Sequence, residues 1–307
     1  MRSLLARLEF HRPERERKGY TVSKPNVGIL HPGNMGSSIA ASAQNSGCQV
    51  YWASEGRSAQ THERAAQHNL SDVGTLSALC QTCSILFSVC PPHAAEAVAD
   101  QVLACGFTGL YVDANAISPQ RAARIGDKMM AAGVAFVDGG IIGGPAWKPG
   151  NTWLYLAGKQ AGTAAACFSA GPLETDVIGD AIGKASALKM CYAAWTKGST
   201  ALLSAVLAAA NALDVWEELS KQWDRDWPDF SEQAIRRARR VTAKAWRFAG
   251  EMDEISSTFL GAGVPGEFHA GAAILYRRIA HFKDAPETPS LEEVLSSLIR
   301  TGAEEAS

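Results

Sequence analysis

From Pro25 onward the chain alternates short apolar runs with Ala-rich stretches whose apolar positions recur every three or four residues. Val27–Leu30, Gln49–Ala53, Ile85–Val89, Leu110–Asp113 and Phe136–Asp138 read as buried strands. Between them Ser37–Ser46, Ser58–His68, Ala94–Ala104 and Pro119–Ala132 each suit a helix of about three turns. Strand and helix succeeding each other at this spacing imply parallel strands with right-handed crossovers, hence a doubly wound α/β sheet. Thr152–Ala157 and Glu174–Val177 follow Gly- and Pro-rich turns and read as strands added at one edge. After Gly183 the strand pattern stops. Ala185–Ala212 is predicted to be one long helix whose only charges are Lys189 and Lys197, followed by helices over Ser231–Gly250, Asp253–Ala262, Gly266–His281 and Leu291–Ile299. The pattern thus divides the chain into an α/β domain over residues 25–182 and an all-helical domain over 183–307. A helix apolar on every side must be covered on most of its faces. One lobe of this size covers it poorly, so it is expected between the lobes or in a homodimer interface.

Composition narrows the class. Hydrophobic residues make up 47% of the 307 and charged residues 20%, enough to bury a real core. A net charge of −2 supplies no field for nucleic acid or an anionic membrane, and no apolar run approaches the length of a membrane helix. The Arg236, Arg237, Arg239, Arg240 run reads as a solvated helix face. Seven cysteines lie scattered through core-like segments, and Cys80-x-x-Cys83 has no second pair to complete a zinc site, so buried thiols in a reducing cytoplasm are expected and no metal. Residues 1–24 are Arg-rich and poor in apolar residues after Leu8. They read as a solvated extension without a secretory signal, with an Arg-rich mitochondrial presequence as the alternative.

The candidate chemistry begins at Val27-Gly28-Ile29-Leu30-His31-Pro32-Gly33-Asn34-Met35-Gly36, which is strand, turn and helix start. Gly33 lets the backbone approach a pyrophosphate, Gly36 lets the helix pack on the strand, and the free N–H groups of the helix start face the phosphates. The fold class is therefore Rossmann-type, with a dinucleotide as cofactor. His31 stands where the common glycine fingerprint has its first glycine. At the end of the second strand, Ser54, Arg57 and Ser58 suit a 2′-phosphate while Glu55 suits ribose hydroxyls. NADP is the favoured cofactor and NAD the alternative.

Four blocks in order, GILHPGNMG (28–36), FSVCPP (87–92), VDANAISP (112–119) and DGGIIGGP (138–145), with a fifth, SALKMCYAAWTKGS (186–199), carry a resemblance. The chain resembles the β-hydroxyacid dehydrogenases related to 6-phosphogluconate and 3-hydroxyisobutyrate dehydrogenases, and most of all the 6-phosphogluconate-dehydrogenase-like subgroup with a C-terminal helical domain of unknown function. The resemblance implies that Gly33, Asn34, Met35 and Gly36 hold the pyrophosphate. Cys90 and Pro91 would lie along the cofactor, with Asn115 near the nicotinamide. Gly143 and Gly144 would form a substrate-binding turn, and Lys189 would be the catalytic lysine. Two positions depart from the family pattern: Ile142 replaces a serine before the Gly-Gly turn, and Ala193 replaces an asparagine one turn after the lysine. Both losses favour a bulkier or less polar substrate than a small hydroxy acid.

Lys189 also stands on its own surroundings. Ala187, Leu188, Met190, Cys191, Ala193 and Ala194 flank it, and burying an ammonium lowers its pKa, fitting it to exchange a proton with a substrate oxygen. A lysine snorkelling to the surface is the alternative. Ser186, Tyr192 and Thr196 share its side at helical spacing and are expected to line a polar pocket. Trp147, Trp153, Trp195 and Trp246 read as apolar walls or core, and Glu251 and His269 as structural residues near the cleft. The expected activity is hydride transfer between nicotinamide and a hydroxy acid or related alcohol or carbonyl compound, with small molecules as its partners. The alternatives are an imine-reductase-like enzyme and a non-catalytic NADP-binding regulatory protein.

Overall fold

A computed structural model describes residues 24–299. The extension expected over residues 1–24 lies outside them except for Lys24, whose ammonium donates to the Ala166 carbonyl and the Ser169 hydroxyl, both at 3.3 Å. The α/β part runs β1 (Asn26–Ile29), α1 (Asn34–Asn45), β2 (Gln49–Trp52), α2 (Ala59–Gln67), β3 (Ser71–Asp72), α3 (Leu76–Thr82), β4 (Ile85–Ser88), α4 (Ala95–Ala104), β5 (Leu110–Asp113), α5 (Pro119–Ala131), β6 (Ala135–Gly143), β7 (Thr152–Ala157), α6 (Ala161–Ala165) and β8 (Leu173–Gly179). Local chemistry sets several starts. The Ser58 hydroxyl accepts from the Thr61 N–H to cap α2, Thr75 does the same for α3, and Pro119 occupies the first turn of α5.

The eight strands form one sheet in the order β3-β2-β1-β4-β5-β6-β7-β8. All neighbours are parallel except β6 and β7, which pair antiparallel from Asp138–Ala157 to Gly143–Thr152. Strand order reverses between β1 and β4, and an open sheet of this kind opens a ligand crevice at the carboxyl ends there. Both faces are covered, one by the side of Ile39, Ala40 and Ala43 on α1, the other by Leu79, Val98, Ile125 and Met129 from α3, α4 and α5. Strands buried on both faces must be apolar throughout, which is why β4 and β5 read as continuous runs. β6 is longer than the expected Phe136–Asp138. Its last five residues project past β5 and pair with β7, so Gly143 ends a strand rather than standing in a turn.

The helical part comprises α7 (Lys184–Ala193), a π-helical segment (Ala194–Gly198), α8 (Ser199–Ala212), α9 (Trp216–Asp226), α10 (Phe230–Gly261), α11 (Glu267–Arg278) and α12 (Leu291–Leu298). Two expectations are corrected. The single helix over Ala185–Ala212 is broken by the π segment. The two helices expected on either side of Gly250–Met252 are one 32-residue helix, α10, because Ala245, Ala249, Met252 and Ile255 continue one buried stripe. One interior glycine costs only about 1 kcal/mol against that packing. Within one chain α7 and α8 are not fully covered: Leu188, Tyr192, Leu202 and above all Trp195, 75% exposed, face outward. β3 and α3 are too short to carry a periodic signal, and α9, outside the predicted elements, buries no residue.

Candidate active site

At the switch point, Gly33 opens α1 with extended backbone, and no side chain caps the helix. The Gly33 N–H turns back to the His31 carbonyl at 2.8 Å, and the first helical N–H to be satisfied is that of Ser37, on the Gly33 carbonyl at 2.8 Å. A Cβ on Gly36 would stand 2.1 Å from the His31 carbonyl oxygen, whereas one on Gly33 would meet nothing within 4 Å. Helix and loop are thus pressed together at Gly36 and open at Gly33, with Asn34 and Met35 on the open side. An uncapped N-terminus with free approach fits an anionic diphosphate. His31 is half-buried with Nδ1 unpartnered, and burial, then Arg57, push its imidazole down to about 4, so it is neutral at pH 7. Pro32 beside it is buried.

Arg57 reaches back over this loop, donating from Nη2 to the Leu30 carbonyl at 3.0 Å while its Nε stays buried and unpartnered. Glu55 is exposed and Ser54 half-buried. Ser58, expected in a phosphate cradle, is instead spent on the α2 cap.

Across the crevice the ends of β4 and β5 are tied by Asn115. Its Oδ1 accepts from the Cys90 N–H at 2.6 Å, its Nδ2 donates to the Ser88 hydroxyl at 3.1 Å, and its N–H donates to Asp113 Oδ1 at 3.0 Å. Its buried amide is therefore committed inside the protein, and it shapes the Cys90–Pro91 wall rather than offering its side chain to a ligand. Burial, then Asp113, push the Cys90 thiol up to about 12, which leaves it protonated. Asp113 is fully enclosed, Oδ2 has no partner, and burial raises its carboxyl to about 7.

Lys189 is placed by two devices. The Asp138 carboxylate on β6 accepts from the Ala185 N–H at 2.8 Å, the Ser186 N–H at 3.1 Å and the Ser186 hydroxyl at 2.6 Å, pinning the first turn of α7. Gly140 then lets that turn lie on the strand: a Cβ there would stand 2.5 Å from the Ala185 carbonyl oxygen and 3.1 Å from Lys189 Cβ. Burial, then the Arg247 charge, push the Lys189 ammonium down to about 8. Among the described residues it makes no hydrogen bond or ion pair. Ile142 is half-buried further along β6, Gly143 and Gly144 are exposed, and the Thr152 hydroxyl donates to the Gly144 carbonyl at 2.7 Å.

The polar pocket expected from Ser186, Tyr192 and Thr196 does not form. Ser186 is buried on Asp138, Tyr192 is exposed, and the Thr196 hydroxyl donates back to the Tyr192 carbonyl at 3.1 Å. The π segment changes the helical spacing on which that expectation rested. Ala193 is buried in the helical core. Trp147, Trp195 and Trp246 are exposed rather than core, and Trp153 is half-buried.

Sequence reasoning missed the α10 side of the site. A cleft of about 230 Å³ lies between Pro91–His93 with Arg121 on the α/β side and Trp246, Arg247, Gly250, Asp253 and Glu254 on α10. Glu254 ties the two parts together, accepting from the Ser118 N–H at 2.8 Å and pairing with Arg121 at 3.1 Å. Beside Lys189, the Lys197 ammonium is paired with the buried Glu251 carboxylate. The signal for Lys197 was present, as the only other charge in an apolar helix. Glu251 stands out only as a structural residue near the cleft, and Arg247 carries no local signal on a helix rich in surface charge. His269 is buried between Phe259 and Phe268 and does not reach the cleft.

The NAD binding domain of 6-phosphogluconate dehydrogenase matches residues 26–167, and a domain of unknown function, DUF1932, matches residues 210–279. The chain thus joins an NAD binding domain of the 6-phosphogluconate dehydrogenase type to a C-terminal domain of unknown function. No curated protein matches it in sequence. Among solved structures it is similar to a conserved protein of unknown function that itself shows structural similarity with 3-hydroxyacid dehydrogenases (24% identity, 90% of this chain and 100% of that one, TM-score 0.62). It is also similar to 3-hydroxyisobutyrate dehydrogenase of Mycobacterium tuberculosis with L-serine (16% identity, 90% and 99%, TM-score 0.64) and to the NADPH-bound reductive aminase of Aspergillus terreus (15% identity, 90% and 100%, TM-score 0.52). At these identities the likeness establishes a shared fold. Of the two positions that depart from the resemblance, Ile142 is half-buried and Ala193 is buried in the helical core, and the charge near Lys189 comes from Arg247 on α10.

No described helix is long and apolar enough to cross a membrane. Among the described residues no group of three or more His, Cys, Asp or Glu side chains is arranged to hold a metal.

Proposed function

We propose that this protein transfers a hydride between a nicotinamide dinucleotide and a hydroxy acid or its carbonyl counterpart, with Lys189 as general acid and base. The observation that carries this reading is Lys189 itself: a lysine with no ion pair among the described residues, pushed down to about 8 by burial, beside Gly140 at the projecting end of β6. Gly33 and the first turn of α1 would hold the pyrophosphate, with Cys90 and Pro91 walling the crevice. Arg57, whose Nε has no partner, favours a 2′-phosphate and hence NADP over NAD. When bound, the cofactor supplies or receives the hydride. Lys189 delivers the proton to the forming alkoxide, or removes it from the alcohol in the reverse direction. Gly144, with nothing within 4 Å of the place a Cβ would take, leaves room for the substrate chain beside Gly143, Ile142 presents an apolar contact to it, and Arg247 supplies the cationic complement to a carboxylate that Ile142 and Ala193 do not. The apolar stripe Leu188, Tyr192, Trp195 and Leu202 fits a second copy of the chain, which sedimentation analysis would reveal as a dimer.

The test is Lys189→Met assayed with NADPH, NADH and a panel of hydroxy acids, ketones and imines. The variant is expected to bind NADPH as the wild type does, by fluorescence, and to lose turnover by at least a hundredfold. Equal turnover in the variant overturns the role of Lys189. Turnover on imines alone favours the imine-reductase reading, and NADPH binding with no turnover on any of the panel favours a regulatory protein.

A further inference from the structure

Lys189 and Lys197 are eight residues apart. In a regular α-helix that separation leaves the second side chain about 80° round the axis from the first. The π segment Ala194–Gly198 lies between them and takes one more residue into its turn. That removes about 100° of rotation and brings Lys197 within about 20° of the Lys189 face, roughly 10 Å further along. The segment is held in place from both sides. The Tyr276 hydroxyl on α11 donates to the Lys197 carbonyl at 2.7 Å, the Thr200 hydroxyl donates to the Thr196 carbonyl at 3.0 Å, and the Lys197 ammonium lies 4.6 Å over the Phe248 ring. Glu251 on α10 meets that ammonium, the two side chains being only 13% and 9% exposed.

We propose that Lys197 is the positioning residue that screens Lys189 from Glu251, so that a buried carboxylate needed to hold the helices together does not lock Lys189 in its protonated form. The inference rests on the reading of Lys189 as acid and base. The charged groups around the pair are Lys189 on α7 and Lys244, Arg247 and Glu251 on α10. From α11, His269 packs against Gly198 and is held below its ordinary range by burial. Removing Lys197 takes away the ammonium that pairs with Glu251, on the same side of the helix as Lys189, and leaves the carboxylate facing Lys189 without that counter-charge.

The experiment is competitive acetylation of the whole protein with acetic anhydride across pH 6–11, reading Lys189 by mass spectrometry, so no substrate or cofactor is needed. Lys197→Met is expected to raise the Lys189 midpoint by about half to one pH unit, and Lys197→Arg to leave it in place. The double variant Lys197→Met/Glu251→Gln removes both charges and is expected to return the midpoint to the wild-type value, which also serves as the test if the single variant does not fold. A Lys197→Met midpoint equal to wild type, or a double variant displaced further than the single one, overturns the proposal, since loosening of packing adds while cancelling charges restore. A wild-type Lys189 that titrates as an ordinary surface lysine sinks instead the acid–base reading beneath it.

Discussion

Gly140 is where the fold meets the chemistry most tightly, and Gly140→Ala is the most informative single substitution. An added methyl would stand 2.5 Å from the Ala185 carbonyl oxygen, where ordinary contact begins at 3.4 Å, so α7 must retreat by about 0.9 Å. It cannot retreat freely, because Asp138 holds the Ala185 and Ser186 N–H groups from the same strand. The helix therefore tilts or its first-turn bonds stretch, an overpacking cost of about 1–3 kcal/mol. For a domain of this size, about 2 kcal/mol corresponds to roughly 4–8 °C in melting temperature. Lys189 Cβ, 3.1 Å from the same methyl, moves with the helix. A displacement near 1 Å costs a catalytic group on the order of a hundredfold in rate. Thermal unfolding followed by circular dichroism and turnover on whichever substrate the panel yields are the two assays. A variant that melts within about 1 °C of wild type and retains its rate would refute the claim that this close approach positions Lys189.

Gly33→Ala is the counterpart at the other end of the crevice. Its methyl enters open space with an allowed backbone, so the melting temperature is expected to hold while NADPH affinity falls tenfold or more; unchanged affinity by fluorescence titration removes Gly33 from the phosphate site. Lys189→Met is expected to stabilise the protein at neutral pH, on the order of 2 kcal/mol, because the folded state holds an ammonium whose pKa is depressed to about 8. Between pH 8 and the ordinary lysine value the unfolded chain binds more protons, so wild-type stability rises with pH there. The advantage of the variant is therefore full below pH 8 and fades above it, and a pH-independent difference in urea midpoints would contradict this. Glu254→Ala removes the clasp between the Ser118 N–H, Arg121 and α10, while Arg121 keeps the Pro92 carbonyl at 3.0 Å. A loss of about 2–3 kcal/mol and separation of calorimetric unfolding into two transitions are expected, and one unshifted transition speaks against an interdomain role.

The elements legible in the sequence are those whose signal is local. β4 and β5 announce themselves as unbroken apolar runs, and the Gly33–Gly36 spacing marks the phosphate loop. Ser58–His68 carries its cap in Ser58, and Pro119–Ala132 is marked by the proline in its first turn. Lys189 stood out because a charge inside an apolar stretch is anomalous wherever it is found. Ser186 and Asn115 were misread because their partners, Asp138 and Cys90, lie 48 and 25 residues away and no local pattern records them.

What the sequence determined by itself is the alternation of strands and helices in the α/β part, the Gly33–Gly36 turn at the start of α1 and the choice of Lys189 as the candidate for proton transfer, since periodicity, glycine spacing and an anomalous charge all act over one turn or one strand. Only the tertiary structure decided which groups surround that lysine. The rotation of Lys197 by one π turn, the arrival of Arg247 and Glu251 from an unbroken α10, and the seat on Gly140 each depend on how distant segments pack. A shift of one residue in a helix redirects a side chain by about 100°, and only contact with a second element fixes it.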